Sequence, residues 1–198
     1  MIKQFNNLVS TPLAVAASMA IPSLDWEWYH KYNSKTAYKY GSVDPSRIPI
    51  ACKLVLETIT LKVCEYFDNE YIFPDFNLHG GGIHIIPPKG WLSRHVDAEY
   101  HPTKLWKRAG SLVWFANKEW KESDGGELII EEPHTGKDTV HYFKPVFNTA
   151  VYFDTDSTFH QVTKNEGEHN RKTLAIFFWK EVKTRPEDAI TSAYFKEQ

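Results

Sequence analysis

Two side chains in the stretch Trp91-Leu92-Ser93-Arg94-His95-Val96-Asp97 have the types and spacing that a metal needs. The stretch reads as a strand, in which residues two apart leave the same face. His95 and Asp97 therefore set an imidazole beside a carboxylate, two-thirds of a 2-His-1-carboxylate iron site. With nine His and 25 Asp and Glu in the chain, a lone His-x-acid arises by chance, so a third ligand has to come from elsewhere. His160 qualifies, because it opens a strand just after the strand pattern of residues 149–154 and a short polar turn. Strands far apart in sequence lie together in a jelly roll. Two His and one Asp fill one face of an octahedron and leave positions for a bidentate co-substrate and O2. A structural zinc would close its shell instead.

Arg171 heads the apolar run Lys172-Thr173-Leu174-Ala175-Ile176-Phe177-Phe178-Trp179. A guanidinium pointing inward from such a strand needs an anion. Its fork matches a carboxylate, and Thr173 on the same face adds a hydroxyl. Arg171 could hold the far carboxylate of a 2-oxo diacid whose keto-acid end chelates the metal. The same Arg at a solvated strand end would pair with a surface acid, and the residue alone does not decide between the two.

These residues need a scaffold. A chain of 198 residues fits one domain with a real core. Apolar residues at 42% and charged residues at 24% are ordinary for a globular protein, whereas 15% aromatics is high. A net charge of -2 argues against a nucleic-acid or membrane-surface protein. No run approaches the roughly 18 apolar residues of a membrane span. Cys52 and Cys64 form no CxxC and read as reduced core thiols of a cytoplasmic protein. The stretch 13–21 has a faint leader-like look. Ser10-Thr11-Pro12 ahead of it reads better as an N-cap and first turn, so a retained helix over 10–20, closed by Pro22, is expected.

Residues 24–43 are aromatic and polar without a clean period and read as an irregular segment, either over a pocket mouth or as a surface wrap. From Pro45 to Asn69 the spacing of Ile48, Cys52, Val55, Ile59, Val63 and Phe67 predicts a helix with one buried stripe. Beyond Gly80 the pattern is that of strands, over 83–86, 91–98, 109–116, 126–131, 139–143, 149–154, 159–163 and 171–181. The predicted class is α+β, mainly β: a jelly roll with N-terminal helices packed on one sheet. The expected organisation is a single domain over 1–198, with support over 1–79, a core over 80–182 and a C-terminal tail over 183–198. His84 alternates with Ile83 and Ile85, so it faces away from them, as a sheet histidine or at the border of a pocket.

Three segments together resemble the iron(II)- and 2-oxoglutarate-dependent dioxygenases, in particular the prolyl-hydroxylase-like branch. They are Ser93-Arg94-His95-Val96-Asp97, then Arg108 to Trp120 leading to Gly125-Gly126-Glu127-Leu128, and His160-Gln161-Val162 with Arg171 after it. The match spans roughly residues 80–182. The resemblance implies a double-stranded β-helix, with His95, Asp97 and His160 on Fe(II) and Arg171 on the C5 carboxylate of 2-oxoglutarate. It implies that Val113, Phe115, Leu128 and Val162 line the co-substrate pocket. Phe115 stands where many prolyl hydroxylases have a Tyr that bonds 2-oxoglutarate, and Thr173 is expected to supply the lost hydroxyl. Arg108 matches a position near substrate in that branch, and Trp91 is taken with it on the substrate side. Relatives that halogenate have a small residue in place of the carboxylate, so Asp97 favours hydroxylation. The implied partners are O2 and a small-molecule or peptidyl substrate. The alternative from another class is a cupin-like metal- or sugar-binding jelly roll without turnover, which would have no need of Arg171.

Overall fold

Helical periodicity gives way to alternation near residue 80, and there the architecture turns from support to sheet. A computed structural model describes residues 1–21, 29–42, 44–67, 71–132, 139–154 and 158–195. The N-terminal part holds β1 (Ile2–Asn6), α1 (Thr11–Ala20), a hairpin of β2 (Tyr29–Asn33) and β3 (Ala37–Ser42), and α2 (Ile50–Tyr66). Then come β4 (Phe73–Pro74), β5 (Gly82–Ile86), β6 (Trp91–Val96), β7 (Trp106–Phe115) and β8 (Leu128–Glu132). The chain continues through β9 (Thr139–Phe143), β10 (Thr149–Asp154), β11 (Phe159–Val162), β12 (Arg171–Glu181) and β13 (Tyr194–Phe195).

The strands join in the order β1-β10-β7-β12-β5-β3-β6-β11-β8-β9. Every pairing is antiparallel. β6 and β7 stand far apart in that order, yet Ser111 of β7 donates to Asp97, just past β6, over 2.9 Å. The sheet therefore curls until its two halves face each other. This is the double-stranded β-helix, as the strand count predicts.

β12 shows why the layers form. Leu174, Ile176 and Phe178 leave one face and join Trp114, Ile83 and Ile85 in a core against the helices. Arg171, Thr173, Ala175 and Phe177 leave the other face and line an internal cavity. Both faces are covered, which accounts for the near-continuous apolar run. The predicted stripe of α2 is buried at Cys52, Val55, Ile59 and Val63 and fills that outer core. A smaller inner cluster, with Phe115, Leu128, Val151, Phe153 and Val162, packs between the sheet halves. Cys52 and Cys64 are free thiols. No helix among the described residues is long and apolar enough to cross a membrane.

Three expectations change. Residues 29–42 form the β2–β3 hairpin, which bridges β5 and β6, so this stretch is regular; residues 22–28 and 43 lie outside the described residues. The long helix is split. A 3-10 turn at Pro45–Arg47 is capped by the Asp44 carboxylate, which accepts from Ser46 N, and α2 begins at Ile50. Ile48 is extended (φ -63, ψ 129) because it precedes Pro49, whose ring disfavours helical geometry there. Finally, residues of the expected tail form β13, which pairs with β6 and sets Phe195 opposite His95.

Candidate metal centre

His95 and His160 are direct register partners across β6 and β11. Their ring centroids lie 4.1 Å apart. Asp97 meets both, with Oδ1 3.7 Å from His95 Nε2 and Oδ2 3.7 Å from His160 Nε2. One ligand atom from each residue lies within 4.8 Å of the others, so the three could hold a metal ion. His95 Nδ1 donates to Ser93 O (2.8 Å) and His160 Nδ1 to Thr158 O (3.3 Å). Each bond fixes the tautomer and leaves the Nε2 lone pair aimed at the common point.

The electrostatics agree with that role. Burial, and after it the neighbouring His160, push His95 down to about 3. Burial likewise lowers His160, although Asp97 opposes it. Both rings are thus neutral at physiological pH, the form that binds metals. For Asp97 burial acts in the other direction and raises the pKa, but His160, Arg108, His95 and the Ser111 bond outweigh it. The carboxyl is held well below the usual range and stays ionised. Two neutral imidazoles and one carboxylate are the donor set that suits Fe(II) with further positions free for exchange.

Arg171 lies on the same cavity, 5% exposed. Its Nε donates to Gly126 O over 2.6 Å, and its guanidinium carbon lies 5.3 Å from the Phe115 ring centroid. Gly126 has φ 72, and a Cβ there would meet Arg171 Cδ at 3.0 Å, so glycine is what lets the guanidinium lie against this turn. Arg171 Nη2 is buried with no hydrogen-bond partner among the described residues. Burial lowers the guanidinium to about 9, with Glu127 opposing, so it remains charged. A buried charged donor at a cavity wall fits an anionic ligand, as the distal carboxylate of 2-oxoglutarate would be.

The cavity measures about 460 Å³ and brings most of the predicted residues together. Val113, Leu128, Val162 and Thr173 line it with Arg171. Thr173 Oγ1 donates to His84 O over 3.4 Å. Phe115 is fully buried beneath Arg171 in the inner cluster and is not a wall of the cavity. Arg108 does line it, and its Nη1 lies 3.3 Å from Asp97 Oδ2. Trp91 corrects an expectation. It lies off the cavity, with its ring edge-on to Tyr38 at 6.3 Å. A register shift, in which Leu92 and His95 on β6 match Val162 and His160 on β11, breaks the alternation and turns Trp91 to the opposite side.

Sequence reasoning missed three neighbours of the site. Lys39 of β3 donates to His84 Nδ1 over 3.3 Å at the cavity wall. Phe195 stacks on His95 at 5.0 Å and 23°. Ser111 bonds Asp97; its spacing of two from Val113 was a usable signal for the inner face.

Residues 81–179, half of the chain, match the profile of the 2OG-Fe(II) oxygenase superfamily. The chain belongs to that superfamily. Its members use Fe(II) and 2-oxoglutarate, and the donor set and the unpaired Arg171 nitrogen fit both. The alternative of a jelly-roll binder without turnover is set aside, since the chain is a dioxygenase by family. Among solved structures, the oxygenase resembles a prolyl-4-hydroxylase from Pseudomonas putida at a TM-score of 0.66 and 19% identity, over 89% of this chain and 91% of that one. It also resembles a Trichoplax adhaerens prolyl hydroxylase in complex with a hypoxia inducible factor peptide fragment (TM-score 0.63, 15% identity, 90% and 82% coverage). HygX from Streptomyces hygroscopicus, with nickel and 2-oxoglutarate bound, matches at 0.63 and 12% identity over 100% of this chain and 92% of that one. At these identities the likeness is one of fold. No protein among those of curated function matches the sequence significantly.

Proposed function

We propose that this oxygenase is a hydroxylase of prolyl-hydroxylase type, with His95, Asp97 and His160 holding Fe(II) and Arg171 holding the C5 carboxylate of 2-oxoglutarate. The observation that carries the reading is the buried, unpartnered Nη2 of Arg171 on the cavity that also contains the His-Asp-His cluster. Bound iron supplies O2 activation, by which substrate, O2 and 2-oxoglutarate become hydroxylated substrate, succinate and CO2.

The chain's own residues do the rest. Ser93 and Thr158 carbonyls orient the two imidazoles. Ser111 and Arg108 keep Asp97 ionised and fixed. A carboxylate at this ligand position leaves no room for a halide, which supports hydroxylation. Val113, Leu128 and Val162 keep the co-substrate's surroundings apolar, so its carboxylate is strongly attracted to Arg171. The Pseudomonas putida relative is a prolyl-4-hydroxylase and the Trichoplax adhaerens one is complexed with a peptide, which supports a proline-like substrate, free or peptidyl.

The test is a panel of prolyl peptides, free amino acids and small metabolites supplied with Fe(II), 2-oxoglutarate and O2. The reading predicts one class that raises succinate in step with a product 16 mass units heavier, the mass of the one oxygen atom inserted. Succinate coupled to a product that is desaturated or cyclised would contradict the hydroxylase assignment.

A further inference from the structure

Lys39 is a cation that the proposed chemistry leaves unanswered. It sits half-buried on β3 and lines the same cavity as the His-Asp-His cluster and Arg171. Its Nζ lies 5.3 Å from the Tyr32 ring centroid and donates one hydrogen bond, to His84 Nδ1. His84 accepts in its neutral form, because its Nε2 donates to Gly81 O over 3.3 Å. An ammonium has three donors. One is met by a neutral ring, and no carboxylate of the described residues forms an ion pair with Lys39.

Each of the other charged groups around the cavity has an opposite charge close by. Asp97 is paired with Arg108, on which the buried Asp75 also acts. Fe(II) and the 2-oxoglutarate dianion balance each other. Glu127 acts on Arg171 from behind the turn that holds it. The cation without an ion-pair partner among the described residues is Lys39, on the same hairpin whose Tyr32 and Thr36 also line the cavity.

Resting on the oxygenase reading above, we infer that the substrate carries an anionic group, a carboxylate or a phosphate, that binds the Lys39 ammonium beside His84. An anion there satisfies the remaining Lys39 donors and gives the ammonium the carboxylate or phosphate partner it lacks. A cavity of about 460 Å³ is in the range of small-molecule sites. The substrate class is then a small organic acid or phosphate ester, or a peptide ending in a free carboxylate, in preference to a neutral segment inside a longer chain.

The experiment uses the anaerobic Fe(II)·2-oxoglutarate complex of the full chain and follows its visible charge-transfer band. The probes are N-acetyl-L-proline against N-acetyl-L-prolinamide, benzoate against benzamide, and inorganic phosphate. The wild-type complex should bind at least one anion roughly tenfold or more tightly than its neutral partner, the effect of a charge-assisted hydrogen bond. For phosphate the comparison is with chloride. Lys39→Met should abolish the preference and Lys39→Arg should keep part of it. Equal binding of anions and neutral partners by the wild type, or no response to any probe, overturns the inference. So does a Lys39→Met protein whose loss is in 2-oxoglutarate affinity, since Lys39 would then serve the co-substrate. If no charge-transfer band forms at all, the oxygenase site assignment itself is what fails.

Discussion

Arg108 backs Asp97: its Nη1 lies 3.3 Å from Asp97 Oδ2, while its guanidinium carbon lies 3.6 Å from the Phe177 ring centroid. Ser111 meets the same carboxylate oxygen at 2.9 Å. A guanidinium clamped by a ring on one side and a metal ligand on the other orients that ligand more than it reaches for substrate. Arg108→Met should therefore weaken Fe(II) binding by roughly 10–100-fold, the usual effect of losing a partner of a metal ligand. Metal titration of the apo-protein measures this. Unchanged metal affinity with a raised KM for substrate would assign Arg108 to substrate binding instead.

Gly126 is where backbone geometry and the Arg171 position meet. Alanine in its left-handed conformation costs about 1–2 kcal/mol, and its Cβ would press on Arg171 Cδ at 3.0 Å. Gly126→Ala should lower the melting temperature and weaken 2-oxoglutarate binding, while Fe(II) binding is retained. A variant with normal 2-oxoglutarate affinity would show that the turn is not what seats the guanidinium.

Lys39 carries a stability cost with a definite pH sign. Burial lowers its pKa from 10.5 to about 8, against the pull of Asp97. Below about 8 the folded and unfolded forms are both charged and the full desolvation cost is felt. Between about 8 and 10.5 the unfolded chain binds more protons, so stability rises with pH, and above 10.5 the cost is gone. Lys39→Met should thus raise the apo-protein's melting temperature near pH 7, with the gain shrinking as pH rises through that window. A gain that does not change with pH would mean that charge is not its source.

How far the sequence carries depends on how regular each strand is. His95 with Asp97, and Arg171 with Thr173, follow from period two in strands with buried faces, and α2 from its single apolar stripe. Trp91, taken to be on the substrate side, lies off the cavity, because the register shift between β6 and β11 breaks the alternation and nothing local announces it. Lys39 was hidden in a hairpin whose outward positions are exposed and whose aromatic residues mask the alternation. Phe195 lies in a strand of two residues, too short to show any period. Arg108 stood out as a cation, but its partner depends on the curl that brings β7 over β6.

Arg171 is proposed to hold 2-oxoglutarate in the cavity whose metal would sit on His95, Asp97 and His160. This is tested most directly by anaerobic titration of 2-oxoglutarate into the Fe(II) complexes of wild type, Arg171→Ala and Arg171→Lys at fixed salt. Breaking a buried charge pair costs about 3–5 kcal/mol, or a factor of hundreds to thousands in affinity. Arg171→Ala should lose that much with iron still bound, and Arg171→Lys should recover part of it, keeping the charge without the fork. Equal 2-oxoglutarate affinities in all three proteins would contradict the account.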